Sequence, residues 1–273
     1  MNFKDCVVVV GTGAGNQYEL RKALLDKGYS VLLVKDSWPR DHYVLSSPLT
    51  PHARYKDGEM DWAAEGGYFR WGRDVVLASD LCLMPDRVSS TSHYSNIVAV
   101  TKAKLEEKYP EKRVYVLPTG YFHSGEMHAH LDMFTLYLPQ ARLLVVDAFN
   151  LRRENPSSLF HVDVARKIFE ELAVQEDLSL VWYDSLKDRV WWPLNSAVLP
   201  CEQGGELVVL DEACFQLRSL LDDYAVPYLG VPCIRVSNPG GKINCATNTL
   251  SRRLLHEKGR SKLLEELSLE ALI

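Results

Sequence analysis

The chain has 273 residues, 47% hydrophobic and 25% charged, with a formal net charge of −5. That is the balance of a globular protein with a sizeable core rather than of a disordered or fibrous chain. No run of Lys and Arg could track a phosphate backbone, which argues against a nucleic-acid partner, and no stretch approaches about 18 uninterrupted apolar residues, which argues against a membrane span.

Mild acidity suits a small cationic ligand. The N-terminus has too few apolar residues for a signal peptide, and the six cysteines include no C-x-x-C pair. The expectation is a cytoplasmic protein with reduced thiols. Cys6, Cys82, Cys214 and Cys233 lie among apolar residues and read as small hydrophobes, whereas Cys245 has polar neighbours.

The chain opens with the strand Cys6-Val-Val-Val-Val10, a helix over 16–27 and a strand over 31–34. Between strand and helix lies Gly11-Thr-Gly13-Ala-Gly15-Asn16, a partial dinucleotide fingerprint with Asn16 where a third glycine belongs. The simpler reading is a tight loop with Asn16 capping the helix, so a nucleotide-binding protein is the lesser alternative.

Trp38-Pro39 then breaks the chain and sets Arg40 and Asp41 on a loop. Glu65-Gly66-Gly67-Tyr68 follows, where two glycines let backbone approach a ligand closely, and leads through Gly72-Arg73-Asp74 into a hairpin. A charged helix over 96–109 and a strand over 114–117 come next. A hairpin turns at Pro139, and a helix over 161–172 precedes strands over 178–182, 195–199 and 206–210. A helix over 212–224 and a strand over 228–236 complete that run. Strand pairs followed by a helix and another strand recur, a hint of a repeated α/β unit. No Gly/Ser/Pro-rich linker divides the chain, so residues 1–273 read as one domain.

The chemistry concentrates in two places. His130 and Asp132 stand two residues apart ahead of strand-like sequence, and at i and i+2 of a strand both side chains would face one pocket. A His and an Asp on one pocket can move a proton and hold a cation. His128, His130 and Asp132 also spell H-x-H-x-D, the start of a dinuclear metal motif of metallo-β-lactamase-like hydrolases, but Met133 stands where another His is needed. The expectation is no metal and no cofactor. Near the C-terminus, Gly240-Gly241-Lys-Ile-Asn244-Cys245 puts a thiol in a polar setting with room for a ligand, a candidate nucleophile.

Taken together, Trp38-Pro-Arg40-Asp41, Glu65-Gly-Gly, His130-Leu-Asp132 and Gly240-Gly-x-x-x-Cys245 resemble, in this order, the motifs of the guanidino-group-modifying enzymes. That superfamily includes arginine and agmatine deiminases, amidinotransferases and dimethylarginine dimethylaminohydrolases. The resemblance implies a pentein fold, a five-bladed α/β propeller of pseudo-symmetric ββαβ units. It implies Cys245 as nucleophile, His130 as general acid/base and Glu65 as the carboxylate paired with the guanidinium or the His. Asp41 and Asp132 would grip the guanidinium, with Trp38, Arg40, Gly240 and Gly241 completing the substrate site.

The function so implied is a cysteine-dependent hydrolase of deiminase type acting on a small guanidino compound through a covalent thiouronium. Amidino transfer to an amine is the nearest alternative, and a noncatalytic pentein binding module the alternative of another class. Tyr68 follows Glu-Gly-Gly where arginine deiminases commonly carry an acidic or amide side chain, and Asn244 precedes the cysteine where many have His. Arg70, Arg73 and Arg87 are candidates for head-group contacts, and self-association into a homo-oligomer is left open.

Overall fold

The computed structural model describes residues 2–12, 17–36, 39–41, 44–47, 50–53, 66–80, 82, 91–117, 130–148, 159–188, 190, 192–233, 243–267 and 270–271. The glycine loop 13–16, Trp38, Glu65, Arg87, His123, Glu126, His128, Gly240 and Gly241 lie outside them.

In chain order the elements are β1 (Cys6–Gly11), α1 (Gln17–Asp26), β2 (Ser30–Val34), β3 (Val44–Ser47), β4 (Thr50–Ala53), β5 (Phe69–Trp71), β6 (Val75–Ser79), α2 (Thr91–Lys108) and β7 (Arg113–Leu117). Then come α3 (Leu131–Phe134), β8 (Thr135–Leu138), β9 (Leu143–Asp147), α4 (Leu159–Gln175), β10 (Ser179–Tyr183), β11 (Ala197–Pro200), β12 (Glu206–Asp211), α5 (Phe215–Asp223) and β13 (Tyr228–Val231). Last are β14 (Thr247–Ser251), α6 (Arg252–Lys258) and α7 (Arg260–Glu266).

These elements make a mixed α/β fold of small sheets, ordered β14-β1-β2, β5-β6-β7, β8-β9-β10 and β11-β12-β13, and β3-β4 form a two-stranded sheet of their own. Three of the sheets come from contiguous ββαβ stretches: an antiparallel hairpin, a crossover helix and a parallel third strand. The first sheet has the same pattern, but its antiparallel partner β14 arrives from the far end of the chain, pairing Cys6 with Ser251 and Val10 with Thr247. Parallel pairing needs a crossover connection, and α1, α2, α4 and α5 supply it.

Strand alternation fixes how the sheets stack. On β6, Val76 and Ala78 pack with Leu105 and Tyr109 near α2, while Val75 and Leu77 join Leu144 and Val146 of β9 and Phe169 of α4. On β9, Leu143 and Val145 turn instead to Val208 and Leu210 of β12 and to α5. Val209 of β12 joins Cys6, Val8 and Val10 of β1 with α1, and Val7 and Val9 of β1 pack under α6 and α7. Each central strand is therefore buried on both faces, which is why it reads in sequence as an unbroken apolar run. α1, α4 and α5 each wedge between their own sheet and a neighbouring one. No helix among the described residues is long and apolar enough to cross a membrane. All six cysteines are free, and burial pushes the Cys6 thiol up to about 12.

Candidate active site

One expectation about this region fails locally. His130 and Asp132 do not sit on a strand: His130 is the extended N-cap of α3, a single helical turn, with φ −69° and ψ 116°. Strand β8 begins only at Thr135, because the chain closes a turn from the His130 carbonyl to the Met133 N–H at 3.1 Å. The turn nonetheless brings the two side chains together. Ring nitrogen of His130, carboxylate oxygen of Asp132 and Sγ of Cys245 all lie within 4.8 Å of one another.

Cys245 sits in the turn ahead of β14 and is buried, as are Asn244 and Asp132. The turn is stitched from several directions. Its backbone N–H donates to Oδ1 of Asn195 at 3.3 Å, and the Asn195 side-chain amide donates to Sγ at 3.2 Å and to Sδ of Met133 at 3.2 Å. The Asn244 N–H donates to the Asn195 carbonyl at 3.2 Å, and its side-chain amide donates to Oδ2 of Asp132 at 2.6 Å. That same Oδ2 is 3.5 Å from Sγ. Met133, Phe134 and Trp192 close the apolar side of the sulfur, with Phe134 and Trp192 edge to face at 5.6 Å.

Gly67 makes room for His130. A Cβ there would lie 2.2 Å from Nδ1 of His130, so the close approach that this glycine permits is to the imidazole. Tyr68 packs edge-on to that ring with centroids 4.6 Å apart. Pro39 and Arg40 tie down the thiol turn. The Arg40 N–H donates to the Cys245 carbonyl and its Nε to the Asn244 carbonyl, both at 3.3 Å, and Asn248 donates to the Pro39 carbonyl at 3.0 Å. The backbone of Asp41 ends the turn Pro39–Asp41.

Two of the three arginines considered for the head group lie among the described residues. Arg70 is buried on β5, and its Nη2 donates to the carbonyls of Asp132 (3.2 Å), Thr135 and Leu194 (3.1 Å). Nη2 is thus committed to carbonyls, while Nε of Arg70 is buried without a hydrogen-bond partner. Burial lowers its pKa to about 10, with Asp132 and Cys245 opposing that fall and Arg40 adding to it, so it stays charged at neutral pH. Arg73 is exposed in the β5–β6 turn. Asn195 went unread in the sequence. Its only signal there is an amide side chain placed just before an apolar strand, where it must find a partner once buried.

A cavity of about 1060 Å³ lies between the hairpins β5–β6, β8–β9 and β11–β12; Arg40, Arg70, Asn244 and Asn248 line it, whereas His130, Asp132 and Cys245 do not. The donors of His130, Asp132 and Cys245 are also of the kinds that hold a soft divalent ion.

No family model matches the sequence. No curated protein matches it either. Solved structures do match, and this chain shares their mixed α/β fold. A Cys-to-Ser variant of agmatine deiminase from C. jejuni with substrate bound superposes with a TM-score of 0.56 at 12% identity, over 90% of this chain and 93% of that one. The N-terminal domain of ArgZ, an arginine dihydrolase from cyanobacteria bound to product, gives 0.55 at 12% identity over 90% and 98%. A Cys-to-Ser variant of the dimethylarginine dimethylaminohydrolase from Pseudomonas aeruginosa complexed with citrulline gives 0.54 at 10% identity over 92% and 100%.

Proposed function

We propose that this protein is a cysteine-dependent hydrolase of deiminase type acting on the guanidino group of arginine or a related small molecule. The observation that carries the reading is the meeting of a thiol, an imidazole and a carboxylate within 4.8 Å, drawn from segments more than 110 residues apart. Likeness of fold to agmatine deiminase and the dimethylarginine hydrolase supports it. We read the ββαβ sheets as blades of a five-bladed propeller, counting the β3–β4 hairpin as the fifth.

The chemistry follows from the residue types. Oδ1 of Asp132 is buried without a hydrogen-bond partner, and a guanidinium N–H is the donor it lacks. Asp41 and Glu65 are assigned by motif to the remaining N–H groups, with Trp38, Gly240 and Gly241 shaping the slot. A carboxylate 3.5 Å from Sγ disfavours the thiolate in the empty site, and a bound cation reverses that balance. The thiol passes its proton to His130, and the thiolate adds to the guanidinium carbon, forming a C–S bond and a tetrahedral adduct. His130 protonates the departing nitrogen, the C–N bond breaks, and an amine or ammonia leaves an S-alkylthiouronium. His130 next takes a proton from water, whose oxygen adds to that carbon. The C–S bond breaks, the thiolate returns, and a ureido product leaves.

The test is a screen of arginine, agmatine, methylated arginines and guanidino acids, reading ammonia or amine release and ureido product. At least one should turn over, and Cys245→Ser should abolish turnover. Formation of an amidinated glycine or other amine instead of ureido product would mark an amidinotransferase. If no compound turns over and a haloacetamidine leaves Cys245 unlabelled, the site is a binding module without chemistry.

A further inference from the structure

Arg70 stands apart from the residues assigned above. It is a cation only 6% exposed, on β5, with its three hydrogen bonds all leaving Nη2. A tie that merely joined two sheets could end on any carbonyl. These three acceptors belong to two segments that finish on one sulfur atom. Asp132, whose carbonyl it holds, brings Oδ2 to 3.5 Å from Sγ, and Thr135, also held, is the exit from the same turn. Leu194, the third acceptor, directly precedes Asn195, whose amide donates to Sγ at 3.2 Å and whose Oδ1 takes the Cys245 N–H.

We propose that Arg70 is a positioning residue for Cys245, fixing both the Asp132 turn and the Asn195 segment on the sulfur while holding a buried positive charge behind the thiol. The proposal rests on the reading of Cys245 as nucleophile. The described charged and titratable groups around that thiol are Asp132 and His130 from the α3 turn, Arg40 from the turn Pro39–Asp41, and Arg70 from β5. Asp132 disfavours the thiolate and the arginines favour it. Cys245 helps hold the proton on Arg70, and by reciprocity Arg70 helps release the proton of Cys245. All three carbonyls are reached from Nη2, which lies one bond farther from the backbone than the Nζ of a lysine, so an ammonium at this position falls short of them.

The experiment separates charge from geometry in the full chain. Alkylation of Cys245 by iodoacetamide is followed against pH on the Cys245 peptide by mass spectrometry, alongside kcat, KM and thermal melting, for the parent, Arg70→Met and Arg70→Lys. Arg70→Met should raise the alkylation midpoint by about one pH unit, a tenfold slower reaction below it. Arg70→Lys should hold the midpoint within half that change and lower kcat about tenfold at nearly constant KM. Parental midpoints in both variants, with only the melting temperature reduced, would make Arg70 a structural tie and overturn the proposal. Should Arg70→Met fail to fold, parental kcat in Arg70→Lys overturns it. Thiol titration needs no substrate, so a protein that turns over no guanidino compound still yields the midpoints, and the two readings fail separately.

Discussion

Gly67 touches the imidazole of His130 so closely that a methyl group there would stand 2.2 Å from Nδ1. The ring must then turn away, and a displacement of about 1 Å at a reacting group costs on the order of 10²-fold in rate. Gly67→Ala should therefore lower kcat by about that factor while shifting the melting temperature little, as activity assays and circular dichroism would measure. Asn195 presents the complementary case. Asn195→Ala removes the donor at 3.2 Å from Sγ and leaves the Cys245 N–H without its acceptor. The expected result is about a 10²-fold loss in kcat together with about 1–3 kcal/mol of stability, read by urea denaturation. Cys245, His130 and Asp132 were legible in the sequence because their side chains carry chemistry wherever they lie. Asn195 and Arg70 were not, since their meaning comes from atoms 50 and 62 residues away.

Among the elements, strands were legible and local turns were not. β1, β6, β9 and β12 advertise themselves because burial on both faces demands an apolar residue at nearly every position. The α3 turn gives no such signal: Leu131, Asp132, Met133 and Phe134 are all buried, so no alternation survives to mark period two or period 3.6. One strand end makes a prediction of its own. Glu206 opens β12, and its carboxylate accepts the N–H groups of Gln140 and Ala141 in the β8–β9 turn, with Gln140 at 3.1 Å. Burial outweighs those bonds and raises its pKa to about 7. The folded chain therefore keeps this proton through a pH range in which an unfolded glutamate has lost it, and the group costs stability as pH rises from about 4.5 to 7. Glu206→Gln retains an oxygen for both N–H groups and carries no charge. It should melt higher than the parent at pH 8, by up to about 1–3 kcal/mol, and alike at pH 4.5. A parental melting curve at pH 8 would place the Glu206 charge in water.

At the scale of the molecule, the coarse repeat was visible as recurring strand pair, helix and strand, but the pairing of β14 with β1 was not. β14 pairs with β1 across some 240 residues, and no local pattern in Thr247–Ser251 states which edge it will find. That pairing matters to the chemistry because Cys245 lies just ahead of β14, and the Gly11 N–H at the end of β1 holds the Ala246 carbonyl at 3.0 Å. The thiol is thus anchored to the first strand, whose outer residues Val7 and Val9 are covered by α6 and α7. Loosening that cover should reach the site only by unfolding the sheets that share its core. Leu263 of α7 is fully buried in this cluster, and Leu263→Ala should cost about 2–4 kcal/mol. Urea midpoints read by circular dichroism and by residual activity should fall together, with kcat in buffer at the parental value. Activity lost at lower urea than the circular dichroism signal would mean that the thiol turn opens as a separate unit, against the continuous packing from sheet to sheet.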